Sequence, residues 1–83
     1  MRRAYKEINK EETETTINVL YNERIISIYT NKIELQKQLK KVIGKPKRED
    51  VRGNSILGSC WDISFDEKTK ISQMMLKANI FEL

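Results

Sequence analysis

Cys60 is the single thiol of the chain, and the chain has no histidine to set beside it. A cysteine nucleophile acts as its thiolate, which a neighbouring imidazole or cation normally stabilises. Cys60 instead falls within a β-rich stretch, where a small half-buried side chain is its ordinary role. The absence of histidine also removes the commonest general base and the commonest metal ligand. One cysteine with scattered carboxylates does not assemble a structural zinc site, so no metal and no cofactor are expected. Glu11, Glu12 and Glu14 lie close together in sequence, but a run of carboxylates is usually a solvated face. Asp62 falls on a strand face and Asp66 at a helix start. No spacing among these groups singles out an acid/base pair. Gly44, Gly53 and Gly58 are too widely spaced for a phosphate-cradling loop. These residues together predict a protein that is not an enzyme.

The positive chemical signal is basic. Lys32, Lys37, Lys40, Lys41, Lys45, Lys47, Arg48 and Arg52 stand against Glu34, Glu49 and Asp50 in the same stretch. At about 100° per residue, Lys37, Lys40 and Lys41 lie opposite the Leu35/Leu39/Val42 stripe of a helix. They point outward together, and Lys45, Lys47, Arg48 and Arg52 continue beyond the helix end. Such a helix-loop surface can neutralise several phosphates without reading base sequence. The competing reading is plain solubility, with cations near a helix C-terminus favouring its dipole. Stacking partners for unpaired bases are few: Tyr21 and Tyr29 fall on opposite sheet faces, and no recognition-helix motif is present.

The elements that must carry these residues begin with a hairpin. Residues 15–21 and 24–30 are both rich in β-branched and aromatic side chains. Asn22-Glu23 between them is a candidate two-residue turn, although Glu is a poorer second residue than Gly. That turn pairs Tyr21 with Arg24, Val19 with Ile26 and Ile17 with Ile28 on one face. It places Leu20 with Ile25, Asn18 with Ser27 and Thr16 with Tyr29 on the other.

Asn31 followed by Glu34 resembles a capping box and opens a helix to about Ile43, ended by Gly44 with Pro46 after it. Residues 45–54 read as a charged loop. A third strand follows, with Trp61, Ile63 and Phe65 on one side and Cys60, Asp62 and Ser64 on the other. Ser64 or Asp66 can cap a second helix with a stripe of Ile71, Met74, Met75 and Ala78. Leu76 falls off that stripe, and Ile80, Phe81 and Leu83 make an apolar tail.

The predicted fold is therefore α+β, in ββαβα order, with a three-stranded sheet and two helices on one face. Residues 1–13 form a charged arm and residues 14–83 one small domain. A crossover through the first helix sets strand three parallel to strand two, and laying it beside strand one gives the order 2-1-3. The core comprises Ile17, Val19, Ile26, Ile28, Leu35, Leu39, Val42, Ile43, Trp61, Ile63, Phe65, Ile71, Met74 and Met75. The other sheet face carries Leu20, Ile25 and Tyr29 with Cys60. Either residues 1–13 fold across it or it meets a protein partner, a second copy of the chain included.

Eighty-three residues lie near the lower limit for a domain that folds alone, and the composition is globular, 39% hydrophobic and 34% charged. Sixteen Lys and Arg against twelve Asp and Glu give +4. That excess permits nucleic acid, a nucleoprotein or an acidic protein as partner and demands none of them. With one cysteine, no membrane-spanning apolar run and no signal-peptide pattern behind Arg2-Arg3, a reducing cytoplasmic home is expected.

Three segments carry a resemblance. Glu14-Thr15-Thr16-Ile17-Asn18, the strand end Tyr29-Thr30, and Trp61-Asp62-Ile63-Ser64-Phe65 together resemble short uncharacterised proteins of phages and mobile elements of AT-rich bacteria, over roughly residues 14–70. The resemblance transfers no site residues. It implies a small binding module, a class that includes inhibitors of host restriction or CRISPR systems. Many such inhibitors are acidic mimics of DNA, and the net +4 departs from that pattern.

Overall fold

A computed structural model describes residues 4–75, with side chains as far as Ile71. In chain order the elements are β1 (Ala4–Tyr5), a 3₁₀ turn (Lys10–Glu12), β2 (Thr15–Leu20), β3 (Ile25–Thr30) and α1 (Ile33–Val42). Then come β4 (Arg48–Arg52), β5 (Ser55–Ser64), a second 3₁₀ turn (Phe65–Glu67) and α2 (Lys68–Met75). The fold is α+β as expected, but the sheet is mixed and has five strands, not three. The expected packing of Met74, Met75 and Ala78, and the apolar residues Leu76, Ile80, Phe81 and Leu83, lie outside the described side chains.

The β2–β3 hairpin has the predicted register, with Ile17 opposite Ile28, Val19 opposite Ile26 and Asn18 opposite Ser27. Its turn differs. The ladder ends at Leu20–Ile25, and residues 21–24 form a four-residue loop in which the Arg24 N–H donates to the Tyr21 carbonyl at 3.2 Å. Without glycine in Asn22-Glu23 a tight primed turn is disfavoured. The chain uses the longer loop and takes the left-handed conformation at Arg24, φ 56°. Both loops have an even number of residues, so the register survives. Phe65 buttresses this corner: its N–H donates to the Arg24 carbonyl, its ring meets Tyr21 edge-on, and the Arg24 guanidinium lies 5.6 Å from the ring centre.

The largest correction concerns residues 45–54. Residues 48–52 are not loop but β4, joined to β5 by the two-residue turn Gly53-Asn54, with Gly53 at φ 61°. Primed hairpin turns favour glycine in that conformation. The Trp-bearing strand therefore pairs antiparallel with β3, Ile28 facing Trp61 and Ile26 facing Ile63, and not beside β2. The order 2-1-3 is replaced by β1-β5-β3-β2, with β4 on β5. The crossover expectation applies instead to β4, which runs parallel to β3 with β5 between them.

Residues 4–13 carry β1 and the first 3₁₀ turn. β1 pairs in parallel with Ser55 and Ile56 of β5. Since β4 pairs with the same two residues, β1 must occupy the β3 side of β5, beyond the end of β3. The return toward β2 is held by Asn31, which does not cap α1. Its Oδ1 accepts the Glu14 N–H at 2.8 Å and its Nδ2 donates to the Glu12 carbonyl at 3.1 Å. Lys32 holds the N-cap position without a side-chain cap bond, and the buried Thr30 hydroxyl accepts the Lys32 N–H.

The core forms between one sheet face and both helices, as expected: Ile28, Leu35, Leu39, Trp61, Ile63 and Ile71 are buried together, with Ile17, Ile26 and Ile43 packed against them. Each fully buried aliphatic side chain contributes about 1.5–3 kcal/mol relative to exposure. The Trp61 indole N–H donates to the Gly44 carbonyl at 2.9 Å, fixing the end of α1 over β5. Two predicted core residues are exposed. Val19 (43%) lies on β2 beyond the helices, which cover β3 and β5, and Val42 (36%) ends α1 where Ile43 turns inward instead. Phe65 is half-buried at the hairpin corner and not in the core cluster.

Candidate binding surfaces

The ladder assigns each candidate residue to a side of the sheet, because cross-strand partners project to the same face. Ser59 and Trp61 point to the helices: the Ser59 hydroxyl donates to Gln36 Oε1 of α1 at 2.7 Å, and Trp61 reaches Gly44. Cys60 and its partners Tyr29 and Arg48 therefore point to the opposite, open face, as do Gly58 and its partner Asp50.

This divides the predicted basic surface in two. Lys37, Lys40 and Lys41 are exposed on the outer side of α1, and Lys45 is exposed just beyond it. None of the four forms an ion pair with another described residue. Lys47 and Arg48 belong to the open face. Lys47 Nζ bonds Asp62 Oδ2 at 2.8 Å, and Arg48 Nε meets Asp50 Oδ1 at 3.2 Å. The Lys47 ammonium is held above its ordinary pKa by the hydrogen bond to Asp62 and then by that carboxylate's charge. Arg52 is exposed at the end of β4. The helix brings together Lys37, Lys40 and Lys41; the sheet separates them from Lys47 and Arg48.

The predicted protein-contact residues share the open face. Leu20 and Ile25 are cross-strand partners, and Tyr29 lies further along β3. Leu20 is 40% exposed; Ile25 and Tyr29 are half-buried. Tyr29 lies across β5 so closely that a Cβ on Gly58 would stand 2.5 Å from the phenol oxygen and 2.9 Å from Cζ. Its pKa is raised, first by burial and then by the charges of Asp50 and Glu14, with Arg48 opposing. Sequence reading missed Asp50 and Asp62 as the partners of Arg48 and Lys47. The signal was the one-two alternation of β4, legible only once residues 48–52 are known to be a strand. Cys60 is a half-buried free thiol on this face.

Among the described residues no group of three or more His, Cys, Asp and Glu is placed to hold a metal ion. No described helix is long and apolar enough to cross a membrane. Comparison of the chain with protein-family models, with curated proteins and with solved structures found no match.

Proposed function

We propose that the protein is a non-enzymatic binding module that contacts nucleic acid, free or within a nucleoprotein, through the lysines of α1. The observation that carries this reading is the exposed set Lys37, Lys40, Lys41 and Lys45, none neutralised by a described carboxylate. Residues three and four apart on a helix are surface neighbours. The first three lysines therefore form one compact cation cluster, suited to the phosphate backbone and indifferent to base identity. Lys47 and Arg48 already spend their charge on Asp62 and Asp50 and are secondary in this reading. The phage and mobile-element resemblance is compatible with such a module.

Two variants separate this reading from a general effect of charge. Replacing Lys37, Lys40 and Lys41 with Ala, or Lys47, Arg48 and Arg52 with Ala, removes three cations in either case. The first set weakens binding to labelled DNA or RNA at least about tenfold, corresponding to roughly 1.4 kcal/mol; the second weakens it less. Equal losses would reduce the effect to net charge.

A second reading rests on a different observation. The open face combines Tyr29, Leu20 and Ile25 with two ion pairs, the mix of an aromatic anchor and polar groups found at protein interfaces. It would make the chain a protein-binding inhibitor of a host defence system or another interaction module. Loss of partner binding on Tyr29→Ala and Leu20→Asp, with nucleic-acid binding unchanged, would favour it.

A further inference from the structure

The two long outer edges of the sheet are built differently. β4 (Arg48–Arg52) is charged at four of its five positions, and its pairing shifts register between Asp50 and Val51. Charge and irregularity are what keep a sheet edge from pairing with another chain. β2 (Thr15–Leu20) has neither: its sequence is Thr-Thr-Ile-Asn-Val-Leu, its register with β3 is unbroken, and no described strand pairs with its outer side. The Asn31 N–H donates to the Glu14 carbonyl, which marks Glu14–Asn31 as a hydrogen-bonded pair. By alternation, Thr16, Asn18 and Leu20 bond toward β3, while the backbone groups of Thr15, Ile17 and Val19 face outward. Beside them Val19, Leu20 and Tyr21 are 43%, 40% and 77% exposed.

We infer that β2 pairs with β2 of a second copy of this chain, antiparallel and about a two-fold axis through Asn18. A second copy suits this edge because the edge is self-complementary. A two-fold axis normal to the sheet keeps each face continuous, so partners must share a face, and Asn18 on the axis satisfies this. Ile17 then meets Val19 of the partner copy on the helix side, their outward backbone groups forming hydrogen-bonded pairs. Thr16 meets Leu20, and Asn18 meets Asn18, on the open side. No like charges oppose each other anywhere along the strand. The contact is isologous and closes after two copies, joining two sheets into one with both helix layers on the same side. This pairing does not depend on the nucleic-acid reading.

Sedimentation velocity of the full chain, from about 1 to 200 μM, tests it in the range expected for a small interface. The mass should rise from monomer toward dimer and stop there. Asn18→Lys sets like charges face to face on the axis at an exposed position, and should return the chain to monomer while leaving the melting temperature unchanged at a concentration where the original chain is itself monomeric. In a Cys60→Ser background, Asn18→Cys falls at a non-hydrogen-bonded pair with Cα atoms about 4.5 Å apart, within disulfide range. It should form a covalent dimer on mild oxidation, whereas Thr16→Cys should not. Monomer throughout, open-ended association, undiminished dimer in Asn18→Lys, or equal cross-linking at 16 and 18 would each overturn the inference.

Discussion

Gly58 and Tyr29 occupy neighbouring strands, and a side chain at Gly58 would displace the Tyr29 ring. The phenol lies where a Cβ on Gly58 would stand, so glycine here serves close approach and not a turn. Gly58→Ala must push the half-buried ring aside on the open face. It should cost about 1–3 kcal/mol, the usual penalty for overpacking, read as a lower urea midpoint; Gly58→Ala combined with Tyr29→Ala should recover part of that loss. The same phenol gives an alkaline signature. Its folded pKa is raised above the unfolded value of about 10, so above that pH the native state holds the proton more firmly than the unfolded chain. Stability then falls as pH rises. Lys47, also raised, acts in the same direction. Tyr29→Phe removes only the first contribution, so its urea midpoint should drop less between pH 8 and pH 11 than that of the unmodified chain. Equal drops would mean that Tyr29 titrates alike in both states.

At the scale of elements, the contact between α1 and β5 contains an unequal polar pair. Gln36 is fully buried, the Ser59 hydroxyl donates to its Oε1, and its Nε2 has no partner among the described residues. An unpaired buried donor costs about 1–3 kcal/mol, whereas replacing both members by apolar groups can be neutral or stabilising. Ser59→Ala alone should therefore destabilise, and Ser59→Ala with Gln36→Leu should be at least as stable as the original chain by urea unfolding. The elements also show what was legible beforehand. Local pattern and register agreed for β2 and β3, and the helical stripe of Leu35 and Leu39 correctly turned Lys37, Lys40 and Lys41 outward. β4 was obscured because its charged residues suit an edge strand but resemble a loop; Gly53-Asn54 was the available sign of a hairpin. Asn31 resembled a cap because Asn-x-x-Glu fits that motif, yet its amide found backbone groups of Glu12 and Glu14 that only tertiary structure brings near. The division of the basic surface depends on which face of β5 each neighbour shares, and no local pattern specifies that.

At the scale of the whole molecule, charge is segregated by the sheet. The helix side carries the lysines of α1, which pair with no described carboxylate, and the open side carries cations already matched by Asp50 and Asp62. If two copies join through β2, the helix layers fall on one side and the two lysine clusters share a single broad surface. Binding to a long nucleic acid would then become bivalent, and Asn18→Lys would weaken it on long strands more than on short ones. Binding through the lysines of one α1 needs no dimer, and its salt dependence is the decisive measurement. Affinity for short duplex DNA and single strands should be measured for the original chain and for the Lys37→Ala, Lys40→Ala, Lys41→Ala variant over a salt series. Release of about three to four counterions predicts a log–log slope near −3 on duplex DNA, becoming shallower by about 2 to 3 in the variant. No binding at low salt, or an unchanged slope in the variant, would overturn phosphate contact by α1 and leave its lysines with solubility as their role.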